Sequence, residues 1–329
     1  MNSYLKHLYG IAAGVICFIL YIITLYPGVG FMDTGELAAA AYTFGVPHPT
    51  GYPLFLLLSY FVSHLPLAGS IAYRLNLLSA IEAAAAVVIT YYAALHITRY
   101  YFQALLASSD KKQSVKKDKK SPQNDDPAKT KKDVNDHSVM IFVLSAAAAV
   151  CSGLVRTFWL DAVQTEVYAL HSVFISLLVL YSVKILCSLE VPDKKNWIIL
   201  FIITGFSFSN HLTTLFILPG ILYILYLQYK KSPRFTKSIL PLILLVLPGF
   251  LMYSVLVIAS GSGPYLNWSD LQNVSNLIGH IRGADYSQLM FSSTSRFGKN
   301  AVDFFSNLPG EMAIIQLVFS VAGLAALWK

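Results

Sequence analysis

The chain has 329 residues, of which 56% are hydrophobic and only 12% are charged, and its formal net charge is +7. A soluble domain is about 45–50% apolar and about 25% charged, so this composition excludes an ordinary soluble fold. The positive charge lies in three short clusters rather than on one continuous face, so no nucleic-acid partner is expected. We predict a single membrane domain that spans residues 1–329.

Several apolar runs approach or exceed the roughly 20 residues that a membrane-spanning helix needs. The first run is followed by Pro27 and Gly28 rather than by a small-residue cleavage site, which predicts a retained anchor and not a removed signal peptide. The runs are Gly10–Tyr26, Ile71–Ile97, Ser138–Val155, Val167–Leu186, Ile239–Ala259 and Met312–Trp328.

Lysine and arginine clusters indicate which side of the membrane each loop occupies, because they concentrate on the cytoplasmic side. The largest cluster lies in residues 108–137, which predicts a disordered cytoplasmic loop. A path of about 8 spans keeps all the clusters inside, provided that Leu54–Leu65 is too short to cross and Trp197–Leu227 crosses twice. Three segments then lie outside, namely residues 27–70, Arg156–Glu166 and 260–311.

The first outer loop, 27–70, carries two acidic residues, Asp33 and Glu36, beside a helix that is predicted to begin near Thr34. The dipole of that helix would favour negative charge at its first turn. Asp33 could therefore be an N-cap with Glu36 as its capping-box partner. The alternative is that the two carboxylates belong to a reactive site, and spacing alone leaves both interpretations open.

Gly45–Pro53 contains three prolines and two glycines, which predicts a rigid turn. Such a loop would hold His48 and Tyr52 at the mouth of the helical bundle. A purely structural role is the competing interpretation, because a lone histidine is more often structural than catalytic.

Other charged residues lie inside spans or beside the membrane. Glu82 sits within an apolar run, where an ionisable residue is a functional candidate, although it could instead pair with a neighbouring span or face a wet cleft. Arg74 could snorkel towards the outer surface. Arg282 could bind a phosphate through its planar donor fork or be a solvated loop residue.

No nucleotide-binding or zinc-protease motif occurs, and no soluble domain is present to hold a nucleotide. A substrate delivered through the membrane is therefore favoured over cytosolic nucleotide chemistry.

Several motifs resemble one polytopic family, which includes the transmembrane protein O-mannosyltransferase that acts on plexin-type immunoglobulin-like domains. That family in turn resembles the wider GT-C membrane glycosyltransferases. The motifs are Asp33-Thr-Gly-Glu36, Gly45-Val-Pro-His-Pro-Thr-Gly-Tyr-Pro53, Tyr73-Arg-Leu-Asn-Leu-Leu-Ser-Ala80, Glu166-Val-Tyr-Ala-Leu-His171 and Asn210-His211.

The resemblance implies an all-α integral membrane protein with a GT-C-like helical bundle and interfacial helices in the first outer loop. It implies transfer of a sugar from a polyprenyl- or dolichyl-phosphate donor to Ser or Thr of an exported protein, and mannose is the expected sugar. Asp33 would be the general base of an inverting reaction. The residues expected to bind substrate are Glu36, His48, Tyr52, Arg74, Asn76, Arg156, Glu166, His211 and Arg282.

The same resemblance implies no cofactor and no assigned metal ligand, with a divalent metal left open. The expected partners are the lipid-linked donor, the exported acceptor and membrane lipids. The protein would lie in the bacterial cytoplasmic membrane or in the endoplasmic reticulum membrane, with its site on the outer or lumenal face.

A transporter or flippase for lipid-linked substrates is the alternative function, because buried charges such as Glu82 and broken short spans also mark transport pathways. A scaffold without catalytic activity is the third possibility, and the acidic, Pro/Gly-rich loop counts against it.

Overall fold

The structure, a computed structural model, describes residues 2–116, 137–190, 193–286 and 294–327. Within these ranges the backbone is helical apart from loops and one parallel β-bridge between Val46 and Asn267. Short 3-10 segments at Leu212–Ile217 and Leu240–Val246 join longer helices. The α-helices are α1 (Asn2–Ile23), α2 (Thr34–Thr43), α3 (Pro53–His64), α4 (Ile71–Lys116), α5 (Ser138–Gly153), α6 (Arg156–Val163), α7 (Val167–Leu186), α8 (Lys194–Asn210), α9 (Leu218–Lys231), α10 (Pro233–Ile239), α11 (Leu247–Leu251), α12 (Ser254–Gly261), α13 (Val274–Ile281), α14 (Thr294–Glu311) and α15 (Ile314–Leu327).

Five helical stretches are long and apolar enough to cross a membrane, and two bent helix pairs raise the number to seven if each pair is one span. The chain is therefore an all-α, multi-span membrane protein, as the sequence predicted. The five stretches are Tyr4–Ile23, Ile71–Leu106, Val167–Leu186, Leu212–Lys231 and Pro233–Gly261. The bent pairs are Ser138–Gly153 with Arg156–Val163, at 70°, and Gly298–Glu311 with Gln316–Ala325, at 116°.

The predicted path of about 8 spans needed two crossings within Trp197–Leu227. The structure confirms a break there, because α8 ends at Asn210 and a 3-10 turn follows His211. Helix α8 has 17 residues, which at a rise of 1.5 Å per residue gives about 26 Å, less than the hydrocarbon core of about 30 Å. Helix α3, with 12 residues, is shorter still, in agreement with a segment that does not cross.

Two predicted loops contain helices. Helix α4 continues to Lys116, inside the segment 108–137 that was predicted to be disordered, because lysine and glutamine are good helix formers even where no apolar face is present. The rest of that segment, 117–136, lies outside the described residues. The outer segment 260–311 contains α13 and α14.

Helix α4 is the central element, and it packs against α1, α5 and α7. One apolar core gathers on its α1 and α5 side, where Tyr21 and Tyr91 are fully buried. Both phenols are satisfied by backbone carbonyls, Tyr21 at Gly153 (2.7 Å) and Tyr91 at Lys6 (2.7 Å). A second core surrounds Trp197 and joins α7, α8 and α9. The N-terminal ends of α4 and α7 adjoin the loops that carry the candidate site, through Asn76 on α4 and Glu166 at the start of α7.

Two glycines allow α8 and α11 to touch through their backbones. A Cβ atom at Gly249 would lie 2.0 Å from the Gly205 carbonyl carbon, and one at Gly205 would lie 2.3 Å from the Val246 carbonyl oxygen. No side chain can be accommodated there without separating the helices.

We expect Gly249→Ala to destabilise the protein by at least about 1–3 kcal/mol, the usual cost of overpacking a close contact. Gly220→Ala is the matched control, because Gly220 is also helical and nothing lies within 4 Å of its Cβ position. Thermal unfolding of both variants in detergent should show a lowered midpoint for Gly249→Ala only. Equal midpoints would contradict the close backbone contact.

Candidate active site

The candidate site begins where the loop after α1 turns into α2. Met32 has a φ of 58°, in the left-handed region that residues other than glycine rarely adopt. Asp33 occupies the N-cap position of α2, but its side chain accepts no cap hydrogen bond, and 56% of that side chain is exposed. The helix therefore does not use the Asp33 carboxylate, which remains free to face the outer loops.

Glu36 does not complete a capping box. Its Oε1 instead accepts the backbone N–H of His48 at 2.7 Å and lies 3.1 Å from His48 Nδ1. The capping interpretation of Asp33 and Glu36 is wrong for both side chains, because the Gly45–Pro53 loop folds back over α2 and offers Glu36 better donors. Glu36 thus anchors the loop to the helix.

His48 lies between three side chains. Because a carboxylate can only accept, we infer that Nδ1 carries the proton and donates it to Glu36. The other nitrogen, Nε2, is 3.0 Å from the Tyr52 hydroxyl and 3.9 Å from Asp33 Oδ2. This tautomer leaves the lone pair of Nε2 directed towards Tyr52 and Asp33.

Tyr52 connects the loop to a second group of histidines. Its φ of 49° is also in the left-handed region, and its ring stacks on His211 with centroids 5.5 Å apart. His211 Nδ1 accepts the backbone N–H of Thr213 at 3.2 Å, and the Thr213 hydroxyl also lies 2.9 Å from Nε2 of His171. Burial is the main cause that lowers the pKa of His211 to about 4, so this imidazole is neutral at physiological pH.

Two backbone contacts bring the distant segment 266–280 onto the Gly45–Pro53 loop. Val46 donates its N–H to the Leu266 carbonyl (2.8 Å), and Trp268 donates to the Val46 carbonyl (3.2 Å). The Trp268 ring consequently lies 6.3 Å from the His48 ring. The His280 ring packs on Gly51 so closely that a Cβ atom at Gly51 would lie 2.8 Å from His280 Nε2.

Asn76 fixes the base of the site. Its amide donates to the carbonyls of Tyr26 (2.9 Å) and Gly28 (2.8 Å), and its oxygen accepts the Thr165 hydroxyl at 2.6 Å. The residue is fully buried on α4. It therefore ties α4 both to the chain that leads into Asp33 and to the segment that leads into Glu166, and it positions these residues.

Glu166 is the N-cap residue of α7 and is only 7% exposed. Burial is the main reason that its pKa is raised to about 8, and the negative charges of Asp161 and Asp33 add to the effect. Its neighbours join the site, because the Thr165 hydroxyl donates to Asn76 and the Tyr168 ring lies 5.1 Å from the His211 ring. The Glu166 carboxyl is expected to be protonated at neutral pH.

The raised pKa of Glu166 predicts how stability depends on pH. The ordinary pKa is 4.5, so between pH 4.5 and about 8 the folded protein binds a proton that the unfolded chain has released. Stability should therefore fall as pH rises through this window and level off above it. Glu166→Gln should remove that slope and be the more stable protein at pH 9, with equal stability near pH 4. If the thermal unfolding midpoints of the wild type and of Glu166→Gln changed equally with pH, the raised pKa of Glu166 would be contradicted.

The predicted arginines do not join this group. Arg74 donates to the carbonyls of Ser63 (3.1 Å) and Leu65, at the end of α3. Arg156 opens α6 beside Thr157, whose N–H and hydroxyl donate to Glu311 at 3.1 and 2.6 Å. Arg282 is exposed after the end of α13. The structure thus gathers Asp33, Glu36, His48, Tyr52, Glu166 and His211, with Asn76 beneath them.

Sequence reasoning assigned no site role to His171, Thr213, Trp268 or His280. His171 ends the motif that starts at Glu166, and His280 opens the run that contains Arg282, so weak signals existed for both histidines. The sequence around Trp268 and Thr213 carries no comparable signal, because their contacts depend on loops that meet only in the folded chain.

Comparison with known proteins identifies one family and several relatives, two of which are described here. Residues 33–234 match the sequence model of a family described as the protein O-mannosyl-transferase TMEM260 N-terminal domain. A stretch of 67 residues, 20% of this chain, is 43% identical to protein O-mannosyl-transferase tmem260 of Dictyostelium discoideum and covers 8% of that protein. A stretch of 65 residues, again 20% of the chain, is 45% identical to the TMEM260 protein of Mus musculus and covers 9% of it. No solved structure matches.

Proposed function

The chain belongs to the family of the protein O-mannosyltransferase TMEM260 N-terminal domain, and from this premise we propose that it transfers mannose from a polyprenyl- or dolichyl-phosphate donor to a Ser or Thr hydroxyl of an exported protein. The observation that carries the proposal is the Asp33 carboxylate. It projects from the start of α2 without a cap bond, and its Oδ2 lies 3.9 Å from His48 Nε2. A base must reach the proton that it removes, and an exposed carboxylate without a structural partner meets that requirement.

In the proposed reaction Asp33 accepts the proton of the acceptor hydroxyl while the hydroxyl oxygen attacks the anomeric carbon. The bond from that carbon to the donor phosphate oxygen breaks, and the lipid phosphate leaves with the electron pair. Attack from the face opposite the leaving group inverts the anomeric centre. Glu36 and His48 hold the loop over α2, and Tyr52 and His211 form the neighbouring wall.

We place this reaction on the outer or lumenal face. The site is built from the loop after α1 and from the segments before α7 and after α12, and it lies at the N-terminal end of α4. The lysines of α4, Lys111, Lys112 and Lys116, lie at the opposite end of that helix. The rule that positive residues remain inside then puts the site outside. A lipid-linked donor and an exported acceptor can meet on that face.

A donor panel tests the proposal. Membranes that contain the full chain would be incubated with dolichyl phosphate carrying mannose or glucose, and with an immunoglobulin-like acceptor domain, and the product would be analysed by mass spectrometry. We expect one hexose per modified Ser or Thr from the mannosyl donor. Transfer of glucose alone would overturn the choice of sugar, and no transfer from either donor would overturn the proposed function.

A further inference from the structure

The candidate site contains more negative charge than positive charge. The carboxylates of Asp33 and Glu36 lie on either side of His48, 3.9 and 3.1 Å from its two ring nitrogens. In the part of the chain that the structure describes, the one basic side chain within ion-pair distance of Asp33 or Glu36 is His48. Of the predicted arginines, Arg74 donates to a carbonyl at the end of α3, and Arg156 precedes Thr157, which donates to Glu311.

The donor atoms of three residues converge as those of a cation site do. One ligand atom each from Asp33, Glu36 and His48 lie within 4.8 Å of one another. His48 Nε2 is 3.9 Å from Asp33 Oδ2, and two atoms bound to one ion at about 2.1 Å lie about 3–4 Å apart. The geometry points to a divalent cation held between His48 Nε2 and Asp33 Oδ2.

The protonation of His48 fits this role. Its Nδ1 donates to Glu36, so the lone pair is on Nε2, the nitrogen that faces Asp33. A carboxylate that accepts from the far nitrogen is the usual orienting partner of a metal-bound histidine. The Tyr52 hydroxyl is within hydrogen-bond distance of Nε2. It also has the Pro49 carbonyl, 3.4 Å away, as an alternative acceptor, so a cation could take its place at Nε2.

A buried histidine nitrogen beside the His48 loop has no partner among the described residues. His280 is 2% exposed, and its Nε2 is buried with no hydrogen bond to any described residue. The ring packs against Gly51, in the loop that carries His48. A buried nitrogen with an unused lone pair is costly unless a ligand or water satisfies it.

We propose that Asp33 and His48, oriented by Glu36, bind one divalent cation of the Mg²⁺ or Mn²⁺ class. Carboxylate oxygens suit these ions, and a mixed oxygen and nitrogen set suits Mn²⁺ better than Mg²⁺. The cation would neutralise the facing carboxylates and accept an oxygen of the donor phosphate, which would polarise the leaving group. That chemical role rests on the proposed function, whereas binding of the ion does not.

Binding is tested directly with Mn²⁺ as the probe. The full chain in detergent would be titrated with Mn²⁺, and free ion would be measured by electron paramagnetic resonance. We expect one site per chain, weakened at least about tenfold in His48→Ala and in Asp33→Asn, since even outer partners of metal ligands contribute that much. Asp193→Asn is the matched control. Asp193 accepts the Lys195 N–H at the start of α8, so this variant should bind Mn²⁺ as the wild type does.

Loss of fold in a variant is detected separately, from its thermal unfolding without metal. A wild-type chain that binds no Mn²⁺, or a site that His48→Ala and Asp33→Asn leave unchanged, overturns the proposal.

A chelator experiment separates the cation site from the proposed function. If Mn²⁺ binds at this site but mannose is not transferred, the cation site stands and the function fails. If mannose is transferred at an unchanged rate in excess chelator and Mn²⁺ does not bind, the cation site fails alone.

Discussion

Replacing Asp33 by asparagine is expected to reduce mannose transfer by about 100- to 10,000-fold, the range that removal of a general base usually covers. The amide keeps the shape of the side chain but cannot take up the acceptor proton. Because Asp33 makes no cap hydrogen bond to α2, the helix loses nothing, and insertion and thermal stability should stay as in the wild type. The rate would be measured as transfer of radiolabelled mannose to a purified acceptor domain.

The control for Asp33→Asn is Asp193→Asn. Asp193 is also an N-cap aspartate, but it does cap its helix, accepting the Lys195 N–H at 2.9 Å. Asp193 lies in a different loop, so the Asp193→Asn substitution should leave the rate of mannose transfer unchanged. An Asp33→Asn protein that transfers mannose at the wild-type rate would remove Asp33 as the base.

Asn76→Ala should have the largest effect on stability among the site variants. The substitution leaves the buried hydroxyl of Thr165 and the half-buried carbonyls of Tyr26 and Gly28 without their partner. A buried polar group without a partner costs about 1–3 kcal/mol, so we expect a total loss of about 2–5 kcal/mol. Transfer should fall as well, because Asp33 and Glu166 are both positioned through this amide.

Ser79→Ala is the matched control for Asn76→Ala. Ser79 is equally buried and lies one turn further along α4, but its hydroxyl donates only to Leu75 of the same helix, at 3.4 Å. The expected loss of stability is below about 1 kcal/mol. Thermal unfolding of the two variants in detergent compares them, and a similar shift in both would contradict the bridging role of Asn76.

The sequence predicted the membrane class and most of the site's local geometry. The prolines and glycines of Gly45–Pro53 do form a rigid turn, and that turn does hold His48 and Tyr52 beside Asp33. These residues are close along the chain, so local backbone preferences decide their relative positions. The break near His211 was predictable for the same reason, because it had to lie where two short apolar segments meet.

Long-range contacts could not be predicted in the same way. A capping box and a pair of site carboxylates have one and the same spacing, and only the fold of the Gly45–Pro53 loop onto Glu36 distinguishes them. The sequence located Arg74 near the outer surface but could not reveal that its donors are used by the end of α3. His280 and Trp268 reach the site because residues 266–268 pair with Val46, which no local pattern encodes.

Glu82 remains separate from the chemistry described above. It is 6% exposed in the span of α4, and both carboxylate oxygens are buried without a hydrogen-bond partner among the described residues. A buried acidic group within a span is also what a transport pathway would need. Transfer and transport therefore have to be distinguished by what happens to the donor.

The most direct test uses the wild-type chain in liposomes with doubly labelled dolichyl-phosphate mannose, with one label on the lipid and one on the sugar, and an acceptor domain on the outer side. If the chain is a transferase, the mannose label should move to the acceptor domain while the lipid label stays in the membrane as dolichyl phosphate. Movement of intact donor between leaflets with no mannose on the acceptor would contradict it and favour the flippase.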